Sequence, residues 1–338
     1  MTKIKTLVNQ CGGRYKDYSG EVGIEVETET TTGYTPPGFN YWTTHADGSL
    51  RHNGVEFVLA QPLDYNSKAY KDALAEFGAF AKTKTWLPSV YTSVHVHFNQ
   101  KDRTLVELAN FIVLYLLHEE ILTRFCGSDR DGNLFCLKTS NAERNVVQIK
   151  QLFQNIDKFN NVKGFFNLNA NNLKYAGLNI ATLRTFGSLE IRTHGGTTDV
   201  ELIDKWVGML HLGIYSKAKT YANPLEILEN FRKLGPHEFL EMHFEDYTKY
   251  LDTSTLAQDY EKTLWYATSV ATCVDSWKDL CSTTKKERPK TFKIGKFKAS
   301  DISTLKYDDE ANGGLALDIQ ATITGYAEYS LATSELDQ

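Results

Sequence analysis

Two histidines in the stretch Thr92–Phe98 could bind a metal ion or a phosphate group together. The stretch reads Thr-Ser-Val-His-Val-His-Phe, and this alternation of apolar and other residues is typical of a β-strand. Side chains alternate between the two faces of a strand, so His95 and His97 point to the same face. The apolar side chains between and after them point to the other face. The sequence therefore predicts a strand with one face in the core and one face that carries two imidazoles.

Two further stretches place charged side chains on strands in the same way. Residues 20–29 alternate apolar and acidic residues, and residues 187–193 carry an acidic and a basic residue on one face. A face lined with glutamate, histidine and arginine cannot be a hydrophobic core, because burying unpaired charge is costly. It is either a solvated surface or a site for cations and anions. We interpret it as a site formed by Glu25, Glu27, His95, His97, Glu190 and Arg192.

A hairpin adds one more carboxylate to this set. Asp47-Gly48 is a turn signal, and residues 54–59 after it predict a returning strand. That strand carries Glu56 among four apolar residues, where a carboxylate needs a partner or a metal ion. Asp47 lies at the turn, where an ordinary turn role competes with a role in the site.

These residue types favour hard cations beside a bound anion. Mg²⁺ and Mn²⁺ prefer carboxylate oxygens, and Mg²⁺ usually binds together with substrate phosphates. Arginine supplies forked donors to phosphate. The chain lacks the Gly-x-x-x-x-Gly-Lys-Ser/Thr motif of P-loop enzymes and the His-Glu-x-x-His motif of zinc hydrolases. The pattern alone therefore predicts a metal-dependent enzyme that handles phosphate.

Helices are predicted to back the sheet. An amphipathic pattern covers residues 66–84, and Thr104 and Glu107 form a capping box that opens a long helix. The centre of this long helix is apolar nearly all round, which indicates burial, while Glu119 and Glu120 near its end are expected on an exposed face. The long helix is predicted to end near Phe125.

Further helices are predicted along the rest of the chain. One covers residues 140–156, one begins at Asp199 with Thr198 as its cap, one begins at Asn223-Pro224, and two lie within residues 236–275. Residues 1–20 are predicted to form a polar lead-in, and residues 157–174 a loop.

Composition and charge exclude several classes of protein. Hydrophobic residues make up 41% and charged residues 23% of the chain, as in ordinary globular proteins. The net charge of −5 gives no electrostatic case for nucleic acid or an anionic membrane. The longest apolar run, Phe111–Leu117, is too short to span a bilayer. Five cysteines that match no zinc spacing, and a start without an apolar signal segment, favour a reduced, cytoplasmic setting.

The order of the motifs is more specific than any one of them. In chain order they are Gly23-Ile-Glu25-Val-Glu27-Thr, Asp47-Gly-Ser-Leu50, Gly54-Val-Glu56-Phe, His95-Val-His97-Phe and Leu189-Glu190-Ile-Arg192-Thr-His194-Gly-Gly-Thr197. This order, over residues 20–215, resembles the amidoligase family, which shares a carboxylate–amine ligase superfamily with glutamine synthetase and γ-glutamylcysteine ligase. The chain has Ser93 where family members often have glycine, and Gly195-Gly196 where they often have a more acidic turn.

The resemblance implies a fold and two cofactors. The expected fold is α+β: a curved antiparallel sheet lines the active site and helices back it, as in the catalytic domain of glutamine synthetase, with a mostly helical C-terminal part. The expected cofactors are ATP and Mg²⁺, or Mn²⁺ in its place. We expect an amidoligase-like catalytic domain over residues 1–280 and a C-terminal extension over residues 281–338. The extension carries a basic stretch, Lys285–Lys298, and a predicted late strand, Leu315–Ile323.

The resemblance also implies roles for individual residues. The residues that match metal-binding positions of the family are Glu25, Glu27, Glu56, His95 and Glu190. His97 would face the ATP phosphates, and Arg192 matches a phosphate-binding arginine. Asp47 would shape the substrate pocket or help orient the amine, and Arg130 and Lys174 are candidate phosphate contacts. The expected catalytic set is Glu190, Arg192, His97 and Asp47.

The implied reaction joins a carboxylate to an amine. The γ-phosphoryl group of ATP passes to the substrate carboxylate, and an amine then displaces phosphate from the acyl phosphate to form an amide. The two substrates could belong to amino acids, a peptide, a polyamine or a modified nucleotide. No membrane partner and no other nucleic-acid partner is expected, and a homo-oligomer stays open.

Other functions remain open at the level of sequence. A guanido-kinase-like phosphotransferase would use the same kind of sheet but yield a stable phosphorylated product. A non-catalytic ATP- or metal-binding protein would keep the fold, although a decayed site usually loses ligands. A metallohydrolase would favour a histidine-rich zinc set with short spacing. The last alternative is a structural sheet with scattered polar residues.

Overall fold

One antiparallel sheet carries the strands that bear the predicted site residues. The computed structural model describes residues 3–10, 13–16, 18–33, 36–159 and 175–280. Within these residues the strands are β1 (Val22–Thr28), β2 (Trp42–His45), β3 (Val55–Leu59), β4 (Ser93–Asn99), β5 (Leu178–Asn179) and β6 (Ser188–Gly195). They form a six-stranded sheet in the order β2-β3-β1-β4-β6-β5, and each neighbouring pair is antiparallel. The predicted hairpin is therefore confirmed as β2 and β3.

Helices follow the strands and cover one side of the sheet. The α-helices of the described residues are α1 (Ile4–Gln10), α2 (Lys68–Ala81), α3 (Leu105–Phe125), α4 (Glu143–Phe159), α5 (Thr182–Thr185), α6 (Val200–Leu210), α7 (Pro224–Phe244), α8 (Leu256–Ala271) and α9 (Trp277–Leu280). A π-helical stretch, His211–Ser216, continues α6. An antiparallel sheet combined with helices in this way confirms the α+β class. The likeness to glutamine synthetase stays a prediction.

The two faces of the sheet differ as the alternating pattern predicts. The apolar residues of β1 and β4 are fully buried on one face, and they belong to the same hydrophobic core as α3. Almost every residue between Leu105 and Thr123 is buried, which confirms that α3 is a core helix. Its capping box is also confirmed: Thr104 N donates to Glu107 Oε2 at 2.7 Å, and Glu107 N donates to Thr104 Oγ1 at 3.2 Å.

Three helix starts differ from the predicted ones. Helix α2 begins at Lys68, where the Ser67 hydroxyl accepts the hydrogen bond of an orphan backbone N–H. Helix α4 begins at Glu143 itself instead of at residue 140. Helix α6 is capped by the Asp199 carboxylate, which accepts two backbone N–H groups, and not by Thr198.

One other predicted element needs correction. The polar lead-in contains α1, whose apolar side chains are buried in the core.

Helix α7 starts at Pro224 with Asn223 as its cap and ends at Phe244, and a kink at Gly235 (φ 78°) divides it into two helical halves. Pro236 follows the kink and lacks the backbone N–H of a helix interior, which explains the break. Residues 236–275 thus hold the second half of α7 and the whole of α8, which confirms the two helices predicted there.

Part of the sequence interpretation falls outside the described residues. This holds for the C-terminal extension 281–338, with its basic stretch and its late strand, and for most of the predicted loop 157–174. Those predictions, and the domain boundary at residue 280, stay predictions. Among the helices that the structure describes, none is long and apolar enough to cross a membrane.

The expectation that Glu119 lies on an exposed helix face is wrong. The Glu119 side chain is buried, and its carboxylate accepts hydrogen bonds from Thr139 N at 2.9 Å and Thr139 Oγ1 at 3.0 Å. The neighbouring Glu120 is half-buried and pairs with Lys138 Nζ at 2.9 Å. The segment after α3 folds back over the end of this helix, so the two carboxylates tie the segment down. Burial raises the pKa of Glu119 to about 7, although the Thr139 hydrogen bonds oppose this.

The raised pKa of Glu119 makes part of the stability depend on pH. The folded protein binds this proton more tightly than the unfolded chain, so the contribution is full below the ordinary pKa of 4.5 and is lost as pH rises through about 7. Between these limits, the free energy of unfolding of the native protein should fall on the order of 3 kcal/mol relative to Glu119→Gln. Urea unfolding at several pH values measures this difference. If the difference in unfolding free energy between the native protein and Glu119→Gln stays constant with pH, the prediction is wrong. It is also wrong if the exposed Glu229→Gln variant gives the same difference from the native protein.

Candidate functional site

The register of the sheet brings the predicted polar residues together on one face. Glu25 of β1 lies opposite His95 of β4, and His97 of β4 lies opposite Glu190 of β6. Neighbouring strands are only about 4.8 Å apart, so these four side chains share one small volume. Opposite His97 on β1 is Gly23, where a Cβ atom would lie 3.3 Å from His97 Cβ. The missing side chain at Gly23 leaves room for the imidazole.

The Glu25 carboxylate contacts both histidines. Its Oε2 lies 3.1 Å from His95 Nδ1, and its Oε1 lies 3.2 Å from His97 Nε2. Burial disfavours the charged carboxylate, yet His97 and His95 hold the pKa of Glu25 well below its usual range. Burial also disfavours a charged His97, but the Glu25 carboxylate outweighs it and raises the pKa of that imidazole. Glu25 and His97 therefore stabilise each other as an ion pair.

Glu190 is held by donors from three strands. Asn179 Nδ2 of β5 donates to Glu190 Oε2 at 2.7 Å, and Arg192 Nη1 of β6 donates to Glu190 Oε1 at 2.5 Å. The same Oε1 lies 3.3 Å from His95 Nδ1. Burial disfavours ionisation here as well, but the Arg192 guanidinium dominates and lowers the pKa of Glu190. The carboxylate is thus ionised and fixed in one orientation.

Ser93 sets the orientation of His95. The Ser93 hydroxyl donates to Glu27 Oε2 and lies 2.6 Å from His95 Nε2. Since the single hydroxyl proton goes to Glu27, His95 Nε2 must carry the proton that it shares with Ser93 Oγ. His95 Nδ1 then faces Glu25 and Glu190, and Arg192 Nη1 lies 3.4 Å from it. Metal-binding histidines are commonly fixed in this way by a hydrogen bond at the other ring nitrogen.

Three carboxylates meet where β1 lies beside the β2–β3 hairpin; we call Glu27, Asp47 and Glu56 the carboxylate trio. Oxygen atoms of the three lie within 4.8 Å of one another. Asp47 is held by the backbone N–H of Ser49, which donates to its Oδ1 at 2.6 Å. Burial, and then the negative charges of Glu25 and Glu27, raise the pKa of Glu56 to about 8. The trio is therefore an electrostatic arrangement that a bound cation would stabilise.

The donor set fits a hard divalent cation. Three overlapping groups place their ligand atoms within 4.8 Å of one another: Glu25, Glu56 and His95; Glu25, His97 and Glu190; and Glu27, Asp47 and Glu56. Each group is rich in carboxylate oxygens and contains at most one imidazole, which favours Mg²⁺ or Mn²⁺ over Zn²⁺. All five predicted metal ligands belong to at least one group. That they hold an ion stays a prediction.

A β-bulge lies in β6 beside Arg192. Val94 of β4 pairs with His194, but Val96 pairs with Ile191, so β6 holds one extra residue between these pairs. Strand alternation places Arg192 on the site face with Glu190. Thr193 faces the core, and its hydroxyl lies 2.8 Å from the hydroxyl of Tyr115.

The buried Arg130 stabilises this bulge. Its Nε donates to the carbonyl oxygen of Thr193 at 2.8 Å, and one terminal nitrogen donates to that of Arg192 at 3.2 Å. Its side chain is fully buried. Sequence reasoning placed Arg130 at a phosphate, but in the structure its guanidinium lies against the backbone of β6 and not in the carboxylate–histidine cluster. The geometry therefore favours a positioning role for Arg130.

One predicted site residue lies outside the described residues, and three residues that support the site were not predicted. Lys174, the other predicted phosphate contact, lies outside the described residues. Ser93, Asn179 and Ser188 were not predicted, although each hydrogen-bonds a site residue; Ser188 Oγ lies 3.1 Å from His97 Nδ1. The alternation of β4 already places Ser93 on the site face, so that residue could have been found. Strand β5 has two residues and no alternating pattern, so Asn179 gave no signal.

Comparison with known families agrees with this geometry. Residues 61–211 match the family model Amidoligase_2, described as "Putative amidoligase enzyme". The matched segment contains β4 and β6, whereas β1 and the β2–β3 hairpin precede it, and the sheet register joins the two parts. The match supports an enzyme of the ligase kind that forms amide bonds. The comparisons with curated proteins and with solved structures gave no match.

Repulsion within the carboxylate trio predicts an unusual mutant. Glu56→Gln removes one of the mutually repelling carboxylates, so its melting temperature in EDTA should rise by about 2–4 °C. The same change removes a proposed ligand, so added MnCl₂ should stabilise this variant less than it stabilises the native protein. Calorimetry of both proteins, with and without MnCl₂, measures the two effects. Glu229→Gln, on an exposed face of α7, is the control, and a destabilised Glu56→Gln that keeps the full MnCl₂ response would refute this account.

The hydrogen bond from Asn179 to Glu190 predicts an effect on cation affinity. Asn179→Ala leaves Glu190 in place but frees its orientation, so Mn²⁺ should bind about 10–100-fold more weakly. Isothermal titration calorimetry with MnCl₂ measures the affinity, and the exposed Asn141→Ala variant is the matched control. Equal Mn²⁺ affinity in the Asn179→Ala and Asn141→Ala variants would show that this hydrogen bond does not support a cation site.

Proposed function

We propose, from the membership of residues 61–211 in the amidoligase family, that the chain is an ATP- and Mg²⁺-dependent carboxylate–amine ligase. The observation that carries the proposal is the meeting of Glu25, His95, Glu190 and Arg192 at one point of the sheet, within 2.5–3.4 Å of one another in successive contacts. Such a cluster combines oxygen ligands for a cation with a forked donor for phosphate. Phosphoryl transfer needs both.

Two sets of side chains would hold the cations. Glu25, Glu190 and His95 form one set, and Glu27 and Glu56 form the other, which leaves Asp47 of the carboxylate trio for the amine. When bound, Mg²⁺ would neutralise phosphate charge and bring ATP and the substrate carboxylate together. These side chains are buried or half-buried, which limits their rotation and supports a preorganised site.

Arg192 and His97 would stabilise the charge of the transferring phosphoryl group. Arg192 Nη1 is used by Glu190, but its Nε is buried and has no hydrogen-bond partner among the described residues. An unsatisfied buried donor is costly, so a phosphate oxygen at this position would stabilise the arginine as well as the ligand. His97, whose pKa the Glu25 carboxylate raises against the effect of burial, supplies a second positive charge on the same face.

Asp47 is placed to act on the amine. It lies at the rim of the trio, in the turn between β2 and β3, and its orientation is fixed by Ser49 N. A carboxylate there attracts a protonated amine and can accept the proton that the amine must lose before it attacks. The two steps then balance. In the first, the substrate carboxylate takes the γ-phosphoryl group and ADP leaves. In the second, the amine forms the C–N bond, phosphate leaves and Asp47 takes the proton.

The proposal is tested by turnover with MgCl₂, ATP and panels of carboxylates and amines. ADP and phosphate release that needs both an acid and an amine, with an adduct lighter than their sum by one water, would establish a ligase. An adduct heavier by one phosphoryl group would establish a phosphotransferase of the guanido-kinase kind instead. Absence of both turnover and Mg·ATP binding would refute the site.

Glu190→Gln should separate chemistry from folding. The amide can still accept the Asn179 hydrogen bond, so the overall fold should persist, but the melting temperature should fall because the buried Arg192 loses its opposite charge. The lost negative charge removes a cation ligand and the partner of Arg192, so ligation should fall by at least about 10²–10³-fold. The assay is ATP-dependent adduct formation in this variant beside Glu229→Gln. Native-like ligation by the Glu190→Gln protein would remove Glu190 from the active site.

A further inference from the structure

An exposed row of aromatic side chains lies near the carboxylate trio; the aromatic row consists of Tyr91, Phe135 and Tyr175. The ring centroids of Tyr91 and Phe135 are 6.0 Å apart, and those of Phe135 and Tyr175 are 6.2 Å apart. Two apolar side chains on the same loops are more exposed still, Val90 at 53% and Leu134 at 72%. A contiguous exposed apolar patch of this kind marks an interaction surface, whereas scattered single residues do not.

Hydrogen bonds fix the three segments that carry the aromatic row. Asn133 Nδ2 donates to the carbonyl oxygen of Val90 at 3.4 Å, and Phe135 N donates to Asn133 Oδ1 at 2.9 Å. Leu137 N donates to the carbonyl oxygen of Tyr175 at 2.7 Å. The rings are thus presented by an ordered scaffold. A preorganised surface loses less conformational entropy when it binds a ligand.

Arg51 connects the aromatic row to the candidate active site. Its guanidinium lies over the Tyr91 ring, 5.2 Å from the centroid. Arg51 Nη1 donates to the carbonyl oxygen of Ser49 at 3.0 Å, and Ser49 N donates to Asp47 Oδ1 at 2.6 Å. These contacts lead in succession from Tyr91 of the aromatic row to Asp47 of the carboxylate trio.

We propose that the aromatic row docks a polypeptide substrate and that this substrate presents its amine to Asp47. The inference rests on the proposed ligase function and assigns its amine substrate to the peptide class. The spacings along Arg51, Tyr91, Phe135 and Tyr175 are 5.2, 6.0 and 6.2 Å. Laid end to end, these spacings add up to roughly the length of five residues of extended chain at about 3.4 Å per residue.

Charge complementarity favours a peptide over a nucleic acid at this surface. The contacts of Arg51 and Ser49 lead from the aromatic row to Asp47, whose carboxylate attracts an ammonium group and repels a phosphate. The whole chain carries a net charge of −5, which disfavours a polyanionic partner. Aromatic rings with exposed apolar neighbours suit the side chains of an extended peptide.

Binding can be measured without turnover. The probe is a pool of pentapeptides of Gly, Leu, Phe and Tyr with a free N-terminal amine and a C-terminal fluorescein, titrated with the full chain in MgCl₂ and followed by fluorescence anisotropy. Tyr91→Ala and Leu134→Ser should each weaken binding about ten-fold or more. The matched exposed variants Tyr250→Ala and Leu225→Ser should bind as the native protein does. Dipeptides of the same composition should bind about ten-fold more weakly than pentapeptides, because they span less of the row.

Each outcome bears on the docking surface separately from the ligase. Absence of pentapeptide binding, or equal weakening by Tyr91→Ala and Tyr250→Ala, overturns the docking inference even if the protein ligates free amines. A labelled single-stranded oligonucleotide that binds in place of the peptide, with the same dependence on Tyr91, also overturns it. Peptide binding that depends on Tyr91 and Leu134 supports the docking surface even if no ATP-dependent adduct forms. Absence of the adduct would refute only the ligase.

Discussion

The structure depends on one electrostatic constraint: carboxylates crowd on a sheet face where burial weakens their screening by water. For Glu25 and Glu190 the protein meets the constraint itself, because His97 and Arg192 supply opposite charges at close range. For Glu56 it does not, and burial with the neighbouring negative charges raises the pKa of Glu56 to about 8. A sheet that tolerates this imbalance without a ligand is destabilised by it. Such a cost is typical of a site whose charges are completed on binding.

The scaffold around the cluster is built to keep these charges in register. Alternation in β6 places Glu190 and Arg192 on the site face, and the buried Arg130 holds the backbone of the bulge beside them. Asn179 on the short edge strand orients Glu190, and Ser93 orients His95. The functional groups thus stand on strands, and their supports come from neighbouring elements. This division lets neighbouring elements fix the orientation of the candidate site residues.

Sequence predicts the strands of the site better than it predicts their supports. Alternation in β1 and β4 fixes which face carries Glu25 and His95, because the period of a strand is two residues. The prediction that Glu119 is exposed is wrong because a later segment folds over the helix end. Helical periodicity cannot indicate that contact. The contacts of Arg130 have no sequence signal either, because a buried guanidinium bound to backbone carbonyls looks, in sequence, like any loop arginine. The aromatic row is assembled from three separate loops and has no local pattern at all.

The central claim is that the carboxylate–histidine face binds divalent cations together with ATP. The most direct test is anomalous X-ray diffraction from crystals grown with MnCl₂ and a non-hydrolysable ATP analogue. The account predicts Mn²⁺ peaks on the face of β1, β4 and β6, about 2.2 Å from carboxylate oxygens of Glu25, Glu190 or the trio, with a phosphate oxygen in contact with Arg192. Nucleotide bound elsewhere, or a face without Mn²⁺ beside ordered carboxylates, would contradict it.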